Sequence, residues 1–141
     1  MDHALMDAWN NVVNPGDMVY HLGDFSMRPA NEIDGFLKKL RGTKHLIVGS
    51  HDRTQGVSGW SSVREMAKIS VDGQRVFLCH YPMREWPGMW QGAVHLYGHV
   101  HGNMDPLPSS MDVGADVWGG KPVQMMDILN AVMPFDAEAE K

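Results

Sequence analysis

With 141 residues, 43% of them hydrophobic, the chain can bury one core of ordinary size, which argues against a second domain. Its formal net charge of −5 argues against broad electrostatic binding to nucleic acid, and no run is long and apolar enough to cross a bilayer. Cys79 is the single cysteine, so no intrachain disulfide can form, and a reducing, cytoplasmic setting is the simpler expectation. We expect one domain over residues 1–133 and an acidic tail over 134–141, with no membrane partner.

In chain order, Ala4, Leu5, Ala8, Trp9, Val12 and Val13 recur at helical spacing, and Asn14-Pro15-Gly16-Asp17 stops that helix. Met18 to Leu22 then reads as a buried strand leading into Gly23-Asp24. Asn31 is expected to cap a helix with Ile33, Phe36, Leu37 and Leu40 on one face, ended by Gly42. Its basic end, Lys38, Lys39, Arg41 and Lys44, reads as a solvated face rather than a nucleic-acid site. His45 to Val48 is the next strand, and it delivers Gly49-Ser50-His51-Asp52 into a glycine-rich loop.

In the second half, Ile69-Ser70-Val71 and Arg75 to Cys79 flank Asp72-Gly73, a pair suited to a type I′ hairpin, so His80 emerges from the second hairpin strand. Tyr81, Met83, Trp86, Pro87, Met89 and Trp90 follow in a loop that reads either as packing or as an apolar substrate wall. Val94 to Tyr97 is a short strand carrying His99 and His101, Met111 to Gly114 an edge segment, and 123–132 a passage from strand to helix. His21, His45 and His95, within or beside strands, are expected to pack rather than to bind, and Trp118 to join the core.

Several strand ends therefore carry an imidazole or a carboxylate, the ligand types that hold zinc, manganese or iron at neutral pH. Asp24, His51, His80, His99 and His101 supply both types, with flanking glycines that let the backbone turn and approach closely. Side chains of an H-x-H pair point to opposite sides of an extended segment, so His99 and His101 could reach different metals.

The order Gly23-Asp24, Gly49-Ser50-His51-Asp52, His80, Gly98-His99-Val100-His101 resembles that of calcineurin-like metallophosphoesterases, over roughly residues 9–123. The resemblance implies an α/β fold, a truncated four-layer α/β/β/α sandwich, with one or two divalent ions, Mn, Zn or Fe, in the site. It makes Asp24 the bridging ligand, His80 and His99 ligands of one metal, His101 a ligand of the other, and His51 the general acid. The chain departs from the pattern in three places. No D-x-H precedes Gly23, Asp2-His3 having the wrong spacing. Ser50 replaces the asparagine ligand, and Met27 stands where a second aspartate is common.

The implied activity is metal-dependent hydrolysis of small phosphodiester or activated aryl phosphate substrates by a metal-activated water. Arg53, Arg84 and Trp86 are the candidate substrate-binding residues, the arginines for a phosphate oxygen and the tryptophan for an apolar wall. A non-catalytic metal-binding or interaction module is the first alternative and a small nuclease, not favoured by the acidic balance, the second. Absence of the D-x-H strand predicts an apolar gap and unpaired strand edges, and hence a homodimer that covers them.

Overall fold

The computed structural model describes residues 3–114, 118 and 120–132, so Asp2 and the expected acidic tail at 134–141 lie outside the described residues. The chain folds as a mixed α/β protein with two sheets. Helix α1, His3–Val12, turns Met6 and Trp9 inward, and the 14–17 turn closes on itself through Asn14 N–H donating to Asp17 Oδ2 at 2.8 Å. Strand β1, Met18–His21, follows.

Helix α2, Ala30–Lys39, buries Ile33 and Leu37. Its N-cap is Pro29 rather than the expected Asn31, with no side-chain cap bond, because the fixed φ of proline, −53° here, already suits the entry. The basic end behaves as a helix terminus: Lys44 Nζ donates to the carbonyls of Leu40 at 2.7 Å and Gly42 at 2.9 Å, closing the last turn. Strand β2, Thr43–Ile47, lies parallel to β1, and β3, Ser62–Arg64, adds parallel to β2, giving a sheet of order β1-β2-β3. Strand β3 has no apolar alternation to announce it; Val63 is one of its exposed residues.

The second sheet starts with the expected hairpin. Strands β4, Met66–Val71, and β5, Gln74–Cys79, pair antiparallel around Asp72 and Gly73, whose φ values of 51° and 83° are those a type I′ turn requires. Strand β6, Val94–Tyr97, and β7, Ser110–Asp112, add in parallel, with β7 at the edge as expected. Helix α3, Met125–Ala131, closes the described chain. Residues 123–124 ahead of it form no strand, so the expected strand-to-helix passage is a helix alone.

Three apolar layers follow from this order. Leu22 and Ile47 from the first sheet meet Val76, Leu78, Val94 and Leu96 from the second, and Ile128 of α3 joins them, so the two sheets face each other across a shared core. On the outer side of the first sheet α1 and α2 supply Met6, Trp9, Ile33 and Leu37. On the outer side of the second sheet the covering, among the described residues, is a loop. Phe77 and Cys79 are covered there by Trp86, Met89 and Ala93, from a loop with a 3-10 turn at Met89–Gln91, and not by an α-helix. Glycines at 88 and 92, both with positive φ, bracket that turn and leave no run long enough for one.

Strand β1 is an edge of its sheet, and beside it lies a cavity of about 690 Å³ that the consecutive residues from Met18 to Phe25 help to line. No described helix is long and apolar enough to cross a membrane.

Candidate metal centre

The C-terminal ends of β1, β2, β5 and β6 meet at one place, and two glycines make the meeting close. A Cβ on Gly23, whose φ is 96°, would fall on the imidazole of His80, and one on Gly49 would come within 2.6 Å of Asp24 Oδ1. Asp52 ties the loops after β1 and β2 together. Its Oδ2 accepts from the amides of Asp24 at 2.8 Å and Gly49 at 2.7 Å, and its Oδ1 from Phe25 at 2.6 Å. Asp24 in turn accepts the His51 amide on Oδ1 at 2.9 Å, which leaves Oδ2 for other work.

That oxygen faces His80. The His80 ring is 1% exposed and its Nδ1–H donates to the Leu22 carbonyl at 2.6 Å, which fixes the tautomer and presents a lone pair at Nε2. Nε2 lies 3.3 Å from Asp24 Oδ2 and 3.2 Å from His99 Nδ1. Ligand atoms at about 2.0–2.1 Å from a tetrahedral ion sit roughly 3.3–3.5 Å from one another. The three ligand atoms all lie within 4.8 Å of each other, so Asp24, His80 and His99 fit a divalent ion in spacing and donor type. A carboxylate oxygen facing an imidazole lone pair is repulsive until a cation or a proton stands between them.

His99 and His101 both take left-handed backbone, with φ of 64° and 52°, as does Asp24 at 58°. Such conformations cost an ordinary residue roughly 1–2 kcal/mol each. Here they bend the chain so that His99 turns to the triad, while His101 is not one of its three residues. The loop is held from below by Asp112 at the end of β7. Its buried carboxylate accepts from Gly102 N–H on Oδ2 and Gly114 N–H on Oδ1, both at 2.8 Å. His101 lines the same cavity as the triad and Asp112.

The remaining sequence-derived residues divide by position. Ser50 and His51 are exposed, with the His51 backbone anchored on Asp24. Arg53 is exposed beside the same loop, its amide donating to Ser26 O at 2.9 Å. Arg84 lies elsewhere, on a second cavity with Glu85, Trp90 and Leu107. Trp86 is placed in packing: it is 3% exposed and its Nε1 donates to Ala93 O at 2.9 Å. The aromatic that reaches the site is Tyr81, whose ring centroid is 4.7 Å from that of His99. Trp118, half-buried, packs against the core and donates Nε1–H to Asp112 O at 3.1 Å.

The histidines expected to pack do so. His95 is fully buried; its Nδ1–H donates to Phe77 O at 3.2 Å and its Nε2 accepts the Met83 amide at 3.0 Å, pinning the loop that follows His80. Burial lowers its pKa. His45 stacks on Tyr20 and meets Ser62 Oγ at 2.6 Å. His21 packs edge-on against Phe25, and burial holds its pKa down to about 4 against the pull of Asp52 and Asp24.

Sequence alone missed Asp52 and Asp112 as the carboxylates that hold the site's loops. Position four of the Gly49-Ser50-His51-Asp52 run was a signal for the first, whereas nothing local marked the second.

No family profile matches the chain. It is 29% identical over 134 residues to the uncharacterized protein MJ1445 of Methanocaldococcus jannaschii, a match covering 89% of this chain and 71% of that protein. It is 27% identical over 130 residues to the gene 66 protein of Mycobacterium phage D29, covering 71% of this chain and 65% of the phage protein. Among solved structures it is similar to the protein of unknown function AQ665 from Aquifex aeolicus, with a TM-score of 0.73 and 22% identity, over 92% of this chain and 83% of that one. That likeness shows a shared fold.

Proposed function

We propose that this chain is a metal-dependent phosphoric ester hydrolase built as a calcineurin-like sandwich, with small phosphodiesters or activated aryl phosphates as substrates. The observation that carries the reading is the convergence of Asp24 Oδ2, His80 Nε2 and His99 Nδ1 within 4.8 Å at the ends of three strands. Two facing sheets with helices on one outer side support the sandwich.

Asp24, His80 and His99 would hold a divalent ion, Mn, Zn or Fe, with His101 on the loop after β6 and Ser50 on the loop after β2 as the candidates for a second. Such an ion, when bound, acts as a Lewis acid and lowers the pKa of a coordinated water from 15.7 to about 7. The chain's own residues supply the rest. His51, anchored through its amide to Asp24, holds a proton for the leaving oxygen or a hydrogen bond for an equatorial one. Arg53, exposed on the same loop, offers a fork to a phosphate oxygen. Tyr81 forms a wall against His99.

The test is elemental analysis of the purified protein together with hydrolysis of bis(p-nitrophenyl) phosphate before and after chelation. Bound transition metal with chelator-sensitive turnover supports the reading. Metal without turnover on diesters, monoesters or nucleic acid makes the chain a metal-binding module instead, and absence of both overturns the site.

A further inference from the structure

The aromatics that follow His80 have different surroundings. Trp86 is buried in packing, and Trp90 stands on the second cavity beside Arg84. Tyr81 touches the candidate ligands themselves. Its ring lies steeply inclined to both imidazoles, with centroids 4.9 Å from His80 at 80° and 4.7 Å from His99 at 62°. Tyr81 is still 43% exposed, and it is not a wall of the cavity beside β1. It therefore offers open aromatic surface next to the triad, and that surface does not depend on the cavity.

The place of the ring is fixed from both sides. Before it, the His80 carbonyl accepts Gly98 N–H at 3.0 Å. Two residues after it, the Met83 amide donates at 3.0 Å to Nε2 of His95, a fully buried ring whose Nδ1–H donates to Phe77 O. Pro82, next in the chain, restricts the Tyr81 backbone to extended conformations, because the proline ring clashes with a helical neighbour. A ring held this way loses little freedom when a ligand packs on it.

We propose that Tyr81 is a substrate-contacting, specificity-determining residue, whose exposed ring favours phosphate esters that carry a planar aromatic group directly on the phosphate. The assignment rests on the phosphoesterase reading for the head group. A phosphate held at the triad brings its substituent within reach of a ring that flanks both His80 and His99. An aromatic substituent can meet that ring edge-to-face or offset-stacked, which raises affinity roughly 2- to 12-fold beyond the burial of area alone. A saturated ring of like size gains the burial only.

The experiment is calorimetric titration of the full chain, loaded with Mn²⁺, with phenylphosphonate and cyclohexylphosphonate, two probes that cannot be hydrolysed. The ratio of phenyl to cyclohexyl affinity should fall roughly 2- to 12-fold in Tyr81→Leu and stay near the parent value in Tyr81→Phe, which keeps the ring. Comparing that ratio between proteins cancels the difference in head-group ionisation and any weakening of Mn²⁺ common to both probes. Tyr81→Met serves if the leucine variant does not fold.

An unchanged ratio in Tyr81→Leu makes Tyr81 a support for His99 and overturns the proposal; if the parent hydrolyses aryl diesters in a chelator-sensitive way, the phosphoesterase reading survives that failure. A ratio that falls equally in Tyr81→Phe assigns the discrimination to the hydroxyl and overturns the role of the ring. A fall confined to Tyr81→Leu, in a chain that turns over no ester, leaves Tyr81 as the wall of a phosphate-binding site and removes the hydrolase reading beneath it. A parent that binds neither probe overturns the proposal whatever its metal content.

Discussion

The two halves of the candidate site are built differently. His80 is buried, with one ring nitrogen committed to Leu22, and Asp24 sits where Asp52 grips the surrounding amides. His51, Ser50 and His101 stand on exposed loops, and the His51 backbone is tied to the triad through Asp24 Oδ1. The first half is pre-organised by the scaffold, so its geometry exists before any ligand arrives. The second half is where chemistry that depends on substrate would be placed, at lower local stability. Substitutions in the two halves should therefore separate binding of metal from turnover.

His80→Ala tests the buried half most severely. It removes one of three ligands and empties a site that cannot refill by rotation, so metal affinity should fall by about 100-fold or more, with activity lost in step. Calorimetry with Mn²⁺ reads this directly, and an unchanged affinity would remove His80 from the site. On the exposed half, His51→Ala should leave metal content near the parent value and lower turnover by about 100-fold, the usual scale of a general-acid contribution. Turnover falling only in proportion to metal would instead join the two halves into one.

Asp52→Ala sharpens the comparison, since Asp52 is not one of the three ligand candidates and acts through backbone amides, that of Asp24 among them. Three amides lose an ionised acceptor, each such bond contributing about 1.5–3 kcal/mol, so denaturant unfolding should show a loss of at least about 3 kcal/mol. Metal affinity should drop by roughly 10–100-fold as the loops drift. Asp52→Asn, keeping one acceptor oxygen, should fall between.

The smallest effect is set by pH. His21 has a folded pKa of about 4 against an ordinary 6.5, so below pH 6.5 the unfolded chain binds the proton more readily. Stability is full above about pH 6.5 and declines as pH falls toward 4, by on the order of 2–3 kcal/mol at the lower end. His21→Leu should flatten that decline, and an unchanged acid profile would assign it to other groups.

What was legible in the sequence was periodic or local. The hairpin at Asp72-Gly73, the first helix and the strand ends bearing Asp24, His80 and His99 follow from turn chemistry, apolar runs and glycine placement. Strand β3 was not legible because its pairing with β2 depends on backbone bonds and not on an apolar face. The covering of the second sheet by the loop at 81–93 was half legible. Its aromatics were evident, but which one turns inward depends on partners such as Ala93 and His95 that only the fold supplies. The roles of Asp52 and Asp112 escaped for the same reason: each holds backbone amides, which have no residue identity to read.

The three ligand candidates come from the loops after β1, β5 and β6, so they belong to both sheets and to well-separated parts of the chain. No local fragment holds the set, and loop closure must bring both sheets together before an ion meets all three. A bound ion would then act after the folding transition state, as a non-covalent cross-link between the layers. Its addition would slow unfolding and protect against proteolysis while leaving the folding rate nearly as it was. For this chain, metal supply would govern how long the native state lasts more than how quickly it is reached.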